Sequence, residues 1–205
     1  MKKTLNIILI CFSLVLLILG ILVWSVLPRQ YTTNDIEKYG KFTGNYDNDF
    51  PREFTTSFFP EQIEDFFSEV TYSYRAQKND TYAFEVYLEY VIEDADVFES
   101  FVKEKTVGLA SKAFSYDASF VEYTVADVFE GTIWQEESDM SPDVSIDYAK
   151  IGKILCSKEE QRIIFVALGV YDGGMASSDF LTVYFNRFGI DARNYEGATI
   201  RIHNK

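Results

Sequence analysis

The chain has one histidine, His203, and two cysteines, Cys11 and Cys156, with four prolines in 205 residues. These shortages remove whole classes of chemistry. A zinc site draws on several His and Cys ligands, and one of each outside the N-terminal apolar run cannot supply them. A Ser-His-Asp or Cys-His pair would have to use His203, which lies in the C-terminal tail, where chains fray. Cys156 is the single thiol outside the apolar run, so no disulfide can form within the rest of the chain. A domain facing an oxidising space would then be held by its core alone. As a nucleophile, Cys156 lacks a visible base. Glycines between 169 and 174 come without the Gly-Lys-Ser/Thr of a phosphate loop, and a strand-ending turn accounts for them. Positive charge is scarce too: 19 Lys and Arg against 32 Asp and Glu give a net −13. Residues 1–29 hold three cations, Lys2, Lys3 and Arg29, and no acid, so the rest of the chain carries −16. Such a surface is repelled by nucleic acid and by anionic headgroups. Basic partners or cations stay open, and solubility alone would also explain the charge.

What is present is a long uncharged run, Leu5 to Leu27, in which Asn6, Ser13 and Ser25 are the strongly polar side chains. As a helix rising about 1.5 Å per residue it outreaches the ~30 Å hydrocarbon core of a bilayer. Lys2, Lys3 and the α-amino group keep the N-terminus cytoplasmic, and Trp24 falls where an interfacial aromatic belongs. Pro28 stops the helix. A secretory signal shares the Lys-Lys start, and Val23-Trp24-Ser25 resembles a cleavage site. The run is longer than the roughly 7–15 residues of a signal h-region, which favours an uncleaved anchor. Ile10 before Cys11 does not fit a lipoprotein signal. The expected layout is 1–29 as cytoplasmic tip and transmembrane anchor, 30–49 as a polar stalk, and 50–205 as an extracytoplasmic domain. Asn45, Asp47 and Asp49 alternate as in half a calcium loop, but Phe50 replaces its glycine and Thr56 its bidentate acid.

Within 50–205 the pattern predicts an α+β domain, a mainly antiparallel sheet with a few helices over one face. Stability must come from aromatics, since 17 of 18 Phe and all 14 Tyr follow the run. A short helix is expected from Pro60 to Phe67. Val70 to Ala76 and Tyr82 to Ile92 read as a hairpin with Phe84, Val86, Leu88, Tyr90 and Ile92 inward and Glu85 and Glu89 outward, so that Glu85→Asp should be nearly silent. A helix opens at Asp94, with Asp96 and Glu99 at capping-box spacing. Phe120 to Val125 and Gly131 to Trp134 are separate strand candidates. Ile146 to Cys156 is a strand, and Ile164 to Leu168, unbroken in apolarity, reads as a central strand covered on both faces. A helix capped by Ser178 or Asp179 runs to Phe188, with Gly189 in the position after it that favours positive φ. Ala198 to His203 is a last, edge strand.

Phe58-Phe59-Pro60, Tyr87-Leu-Glu-Tyr90, Ile164-Phe-Val-Ala-Leu168 and Phe180-Leu-Thr-Val-Tyr-Phe185 give residues 50–190 a texture that resembles uncharacterised single-span extracytoplasmic proteins of low-GC Gram-positive bacteria. The resemblance implies a location and no functional residues.

No catalytic, cofactor or metal residue is assigned from the sequence. Paired carboxylates such as Glu61 with Asp65, or Glu85 with Glu89, suit a glycosidase only if two share a cleft. Tyrosines in strands suit packing, or stacking on sugars and partners. The expectation is a membrane-anchored extracytoplasmic binding domain, non-catalytic, touching the bilayer through Leu5–Leu27 and meeting an envelope protein or cell-wall partner. Two alternatives stand beside it: a carboxylate-dependent hydrolase acting on envelope glycan, and a structural subunit of a membrane complex.

Overall fold

The computed structural model describes residues 12–20, 29–39, 50–78, 82–135, 144–171, 176–177 and 183–204. Residues 12–20 form helix α1, exposed along its length. The rest of Leu5–Leu27 lies outside the described residues, among which no helix is long and apolar enough to cross a membrane.

Among the described residues nine strands join in one sheet, ordered β1-β2-β3-β7-β6-β5-β4, with β8 added to β6 and β9 to β5. They are β1 (Arg29–Thr33), β2 (Ser68–Lys78), β3 (Tyr82–Val91), β4 (Ala110–Ala113), β5 (Val121–Gln135), β6 (Val144–Ser157), β7 (Arg162–Tyr171), β8 (Ala176–Ser177) and β9 (Thr199–Asn204). Every pairing is antiparallel except β5 with β9. Helices α2 (Phe50–Thr56), α3 (Ala95–Lys105) and α4 (Val183–Phe188) complete the α+β domain.

β7 is the central strand, and both of its alternating sets are buried, as its apolar run requires. On one face Phe165 lies beneath Phe59, Tyr90 and Phe67, with α2 and α3 above. On the other, Ile164, Val166 and Leu168 lie beneath α4 and a cluster of Phe129, Phe185 and Tyr195. The helices therefore cover both faces, not one. This also corrects the reading of β3. Glu85 is fully buried and Glu89 6% exposed, because α4 packs over the face that the alternation assigned to water.

Three local expectations change as well. Residues 60–67 form turns rather than a helix, and the helix lies earlier, at Phe50–Thr56, where Pro51 can occupy its first turn without losing a bond. Residues 30–33 of the expected stalk, with Arg29 from the end of the expected anchor segment, pair with β2, and Tyr39 binds the Pro60 carbonyl at 2.6 Å and meets the Tyr72 ring. Residues 40–49, with the half-calcium pattern, lie outside the described residues, as do Ser178, Asp179, Phe180 and Leu181. The cap of α3 is Asp94, whose carboxylate accepts from Asp96 N and Val97 N at 2.9 and 3.1 Å. Phe120–Val125 and Gly131–Trp134 are not two strands but the ends of one, β5, with irregularities at Thr124/Ala126 and Glu130/Gly131. Gly189 has φ +61°, as its place after α4 demands.

Gly169 sits opposite Phe84 across β3 and β7, and the aromatic ring fills the space a side chain would take. A Cβ at 169 would lie 2.3 Å from Phe84 Cε1. Phe84 is wholly buried against the edge of Tyr171, so it cannot swing away freely. Gly169→Ala should therefore cost about 1–3 kcal/mol through overpacking. A urea midpoint equal to that of the wild type would show that the ring has room to retreat.

Candidate functional site

Two features of the domain could do more than hold it together. The first is a groove of about 610 Å³ between α3 and the start of β5. Phe98 and Phe101 bind α3 over β3 and β7, against Phe67 and Tyr90. The sheet continues past the helix, so Val121 is left 41% exposed beside Val102 and Tyr123. Cys156 lies on the groove wall, and Glu99 and Lys158 pair at the mouth near Lys103 and Glu159. Burial pushes the Cys156 thiol up to about 12, so it is protonated at neutral pH and a poor nucleophile. On the outer side of α3, Phe66, Val97 and Phe101 line a shallower depression with Asp96 and Glu104.

The second feature is on the opposite face. Antiparallel pairing sets Glu122, Thr124 and Lys153 on the side of α4, with Thr124 directly opposite Lys153. Strict alternation would bring residue 126 to that side next. The bulge between Thr124 and Ala126 brings Asp127 instead, an instance of a bulge redirecting a side chain. Lys153 Nζ then lies 3.0 Å from Glu122 Oε1 and 3.1 Å from Asp127 Oδ2. The Tyr195 hydroxyl donates to Asp127 Oδ1 at 2.9 Å, and its ring stands 5.2 Å from the ammonium. Thr124 donates to Glu122 at 3.0 Å. Further out, Lys112 reaches Glu122 at 3.8 Å and Glu196 at 3.4 Å, and Ser115 donates to Glu196. Lys153 and Glu122 are shut from solvent, whereas the Asp127 side chain is 23% exposed.

The carboxylate pairs singled out from the sequence are placed elsewhere. Glu61 and Asp65 are exposed in the turns after α2. Glu85 accepts from Val183 N and Tyr184 N at 3.3 and 2.9 Å, so it secures the start of α4. Glu89 binds Arg162 at 3.0 Å and Arg187 at 3.3 Å and accepts from the Tyr87 hydroxyl. Neither pair lines the groove. His203 falls in β9, registered against Trp134. Tyr72, Tyr74, Tyr87, Tyr90, Tyr184 and Tyr195 are all buried, which assigns them to packing rather than to a stacking row. Among the described residues no group of His, Cys, Asp and Glu could hold a metal ion.

Sequence reasoning missed the Lys153 cluster because its members come from β4, β5, β6 and the segment before β9, and a bulge decides which residue of β5 joins them. A lysine at 153 within the apolar stretch Ile151 to Cys156 was the available signal.

Burial raises the Glu89 carboxyl, but the Tyr87 hydroxyl, Arg187 and Arg162 outweigh it, and the net shift is downward. A carboxyl lowered on folding contributes stability above its unfolded pKa and loses it as pH falls through the folded value. Glu89→Gln should thus cost about 1.5–3 kcal/mol at neutral pH, the worth of hydrogen bonds to a charged group. The gap from wild type should close on acidification. A gap that is constant with pH would mean that Glu89 acts by shape and not by charge.

Comparison with protein families, curated proteins and solved structures finds no match to this chain.

Proposed function

We propose that this protein is a membrane-anchored extracytoplasmic binding domain whose groove beside α3 takes an apolar segment of an envelope protein. The carrying observation is the groove itself, where Val121, Val102 and Tyr123 form an apolar recess rimmed by charge. The occupant is a polypeptide stretch with aliphatic or aromatic side chains and basic flanks. The basic flanks follow from the −16 carried after residue 29, which attracts cationic chains and repels acidic ones. The membrane part rests on Leu5–Leu27 and on the cations before it, and the resemblance to single-span extracytoplasmic proteins points the same way. A carboxylate hydrolase has less support, since the Glu85 and Glu89 carboxylates are engaged by a helix start and by arginines.

The experiment uses the full chain in detergent and fluorescent peptides with a Leu-Phe core, flanked either by Lys or by Glu. Lys-flanked peptides should bind, with affinity that falls as salt rises. Val121→Arg should weaken them tenfold or more, which is about 1.4 kcal/mol. Equal binding of both peptide sets, or indifference to Val121→Arg, would sink the groove. Protease added to intact cells should remove everything beyond the anchor. Full protection would sink the orientation.

A further inference from the structure

We propose that Lys153 and Asp127 condense to an intramolecular amide that ties β5 to β6, with Glu122 carrying the protons. Three contacts converge on the Lys153–Asp127 pair. Lys153 Nζ is 3.1 Å from Asp127 Oδ2, close enough for attack on the neighbouring Cγ once the amine is neutral. Glu122 Oε1, at 3.0 Å, is placed to take the ammonium proton. The Tyr195 hydroxyl, 2.9 Å from Asp127 Oδ1, is placed to stabilise the oxyanion formed by the attack.

The surroundings favour the product. One ammonium faces two carboxylates beside the Tyr195 ring, with Lys153 and Glu122 shut from solvent, and desolvating such ions is costly. Condensation removes one charge of each sign from the interior. Glu122 keeps Lys112 as a partner at 3.8 Å.

The step balances without an oxidant, reductant or activated donor. The Lys153 ammonium gives a proton to Glu122, which passes it to Asp127 Oδ2. The neutral amine attacks Cγ, forming the N–C bond. Glu122 then takes one proton from the nitrogen and returns it to Oδ2, the C–O bond breaks, and one water leaves. Glu122 ends as it began.

The bond would do for this domain what a disulfide does elsewhere. It closes the chain between β5 and β6, across the acidic 136–143 segment, and so restricts the unfolded chain in a form that no reductant can open. The proposal is independent of what occupies the groove.

Intact-mass spectrometry of the folded full chain, followed by tandem mapping of its peptides, tests it. The expected result is a mass one water below that of the sequence, with a branched peptide joining Lys153 to Asp127. A cut within 136–143 should leave the two pieces joined under denaturing, reducing conditions. Lys153→Arg and Glu122→Gln should each keep the full mass. The wild-type map needs no variant to fold. A wild-type chain that is folded by circular dichroism yet has full mass overturns the proposal. So does a water loss mapped elsewhere, such as a succinimide at Asp172-Gly173.

Discussion

A chain carrying Leu168→Asp should show no cooperative thermal transition in detergent. Leu168 is fully buried in β7, between Glu85 of β3 and Ile151 of β6. The new carboxylate would lie beside the buried Glu85, so repulsion adds to the cost of an unpaired buried charge. It would also replace apolar volume in a close-packed layer. Together these exceed about 4–5 kcal/mol, the range in which single substitutions become exceptional, against a total stability of about 5–15 kcal/mol. Leu168→Ala should fold, with a loss of about 2–5 kcal/mol. Comparable melting of Leu168→Asp and wild type would place β7 at a solvated edge and overturn the sheet order.

Glu85→Ala should cost about 2–4 kcal/mol, the sum of orphaned helix N–H groups and a partly unfilled cavity. The carboxylate is buried and holds Val183 N and Tyr184 N, and α4 in turn places Tyr184 and Phe185 over the sheet. Glu85→Asp should also be costly, because one methylene fewer withdraws the oxygens from both donors. The pH dependence distinguishes this residue from Glu89. Burial raises the Glu85 carboxyl, against the lowering pull of the Tyr184 and Val183 N–H groups and of Arg75. A carboxyl raised on folding contributes stability that is fully present below its unfolded pKa and is lost as pH rises through the folded value. The penalty of Glu85→Ala should therefore be widest in acid and narrow towards neutrality, opposite in sign to Glu89→Gln. Urea titrations at acid and neutral pH measure both, and parallel slopes would refute the assignment of either carboxylate.

Glu85 and Glu89 also mark where the sequence stopped being informative. Alternation in Tyr82–Ile92 states that successive side chains face opposite sides. It cannot state that the second side is covered, because the covering element, α4, begins about ninety residues later. In the same way the Lys153 cluster depends on a bulge that no local pattern announces. The groove depends on how far α3 extends over the sheet, a matter of packing between Phe98, Phe101 and Tyr90 rather than of helix propensity.

The sequence by itself determined the α+β class, the hairpin of β2 and β3, the buried central strand at Ile164–Leu168, the helix opening at Asp94 and the glycine that ends α4. Each is written in local periodicity or in a residue with one conformational use. The tertiary structure decided that helices lie on both faces, that residues 29–33 join the sheet, that β5 is one bulged strand, and which buried charges meet. Those depend on contacts between residues far apart in the chain, where side-chain chemistry permits many pairings and only the assembled sheet selects one.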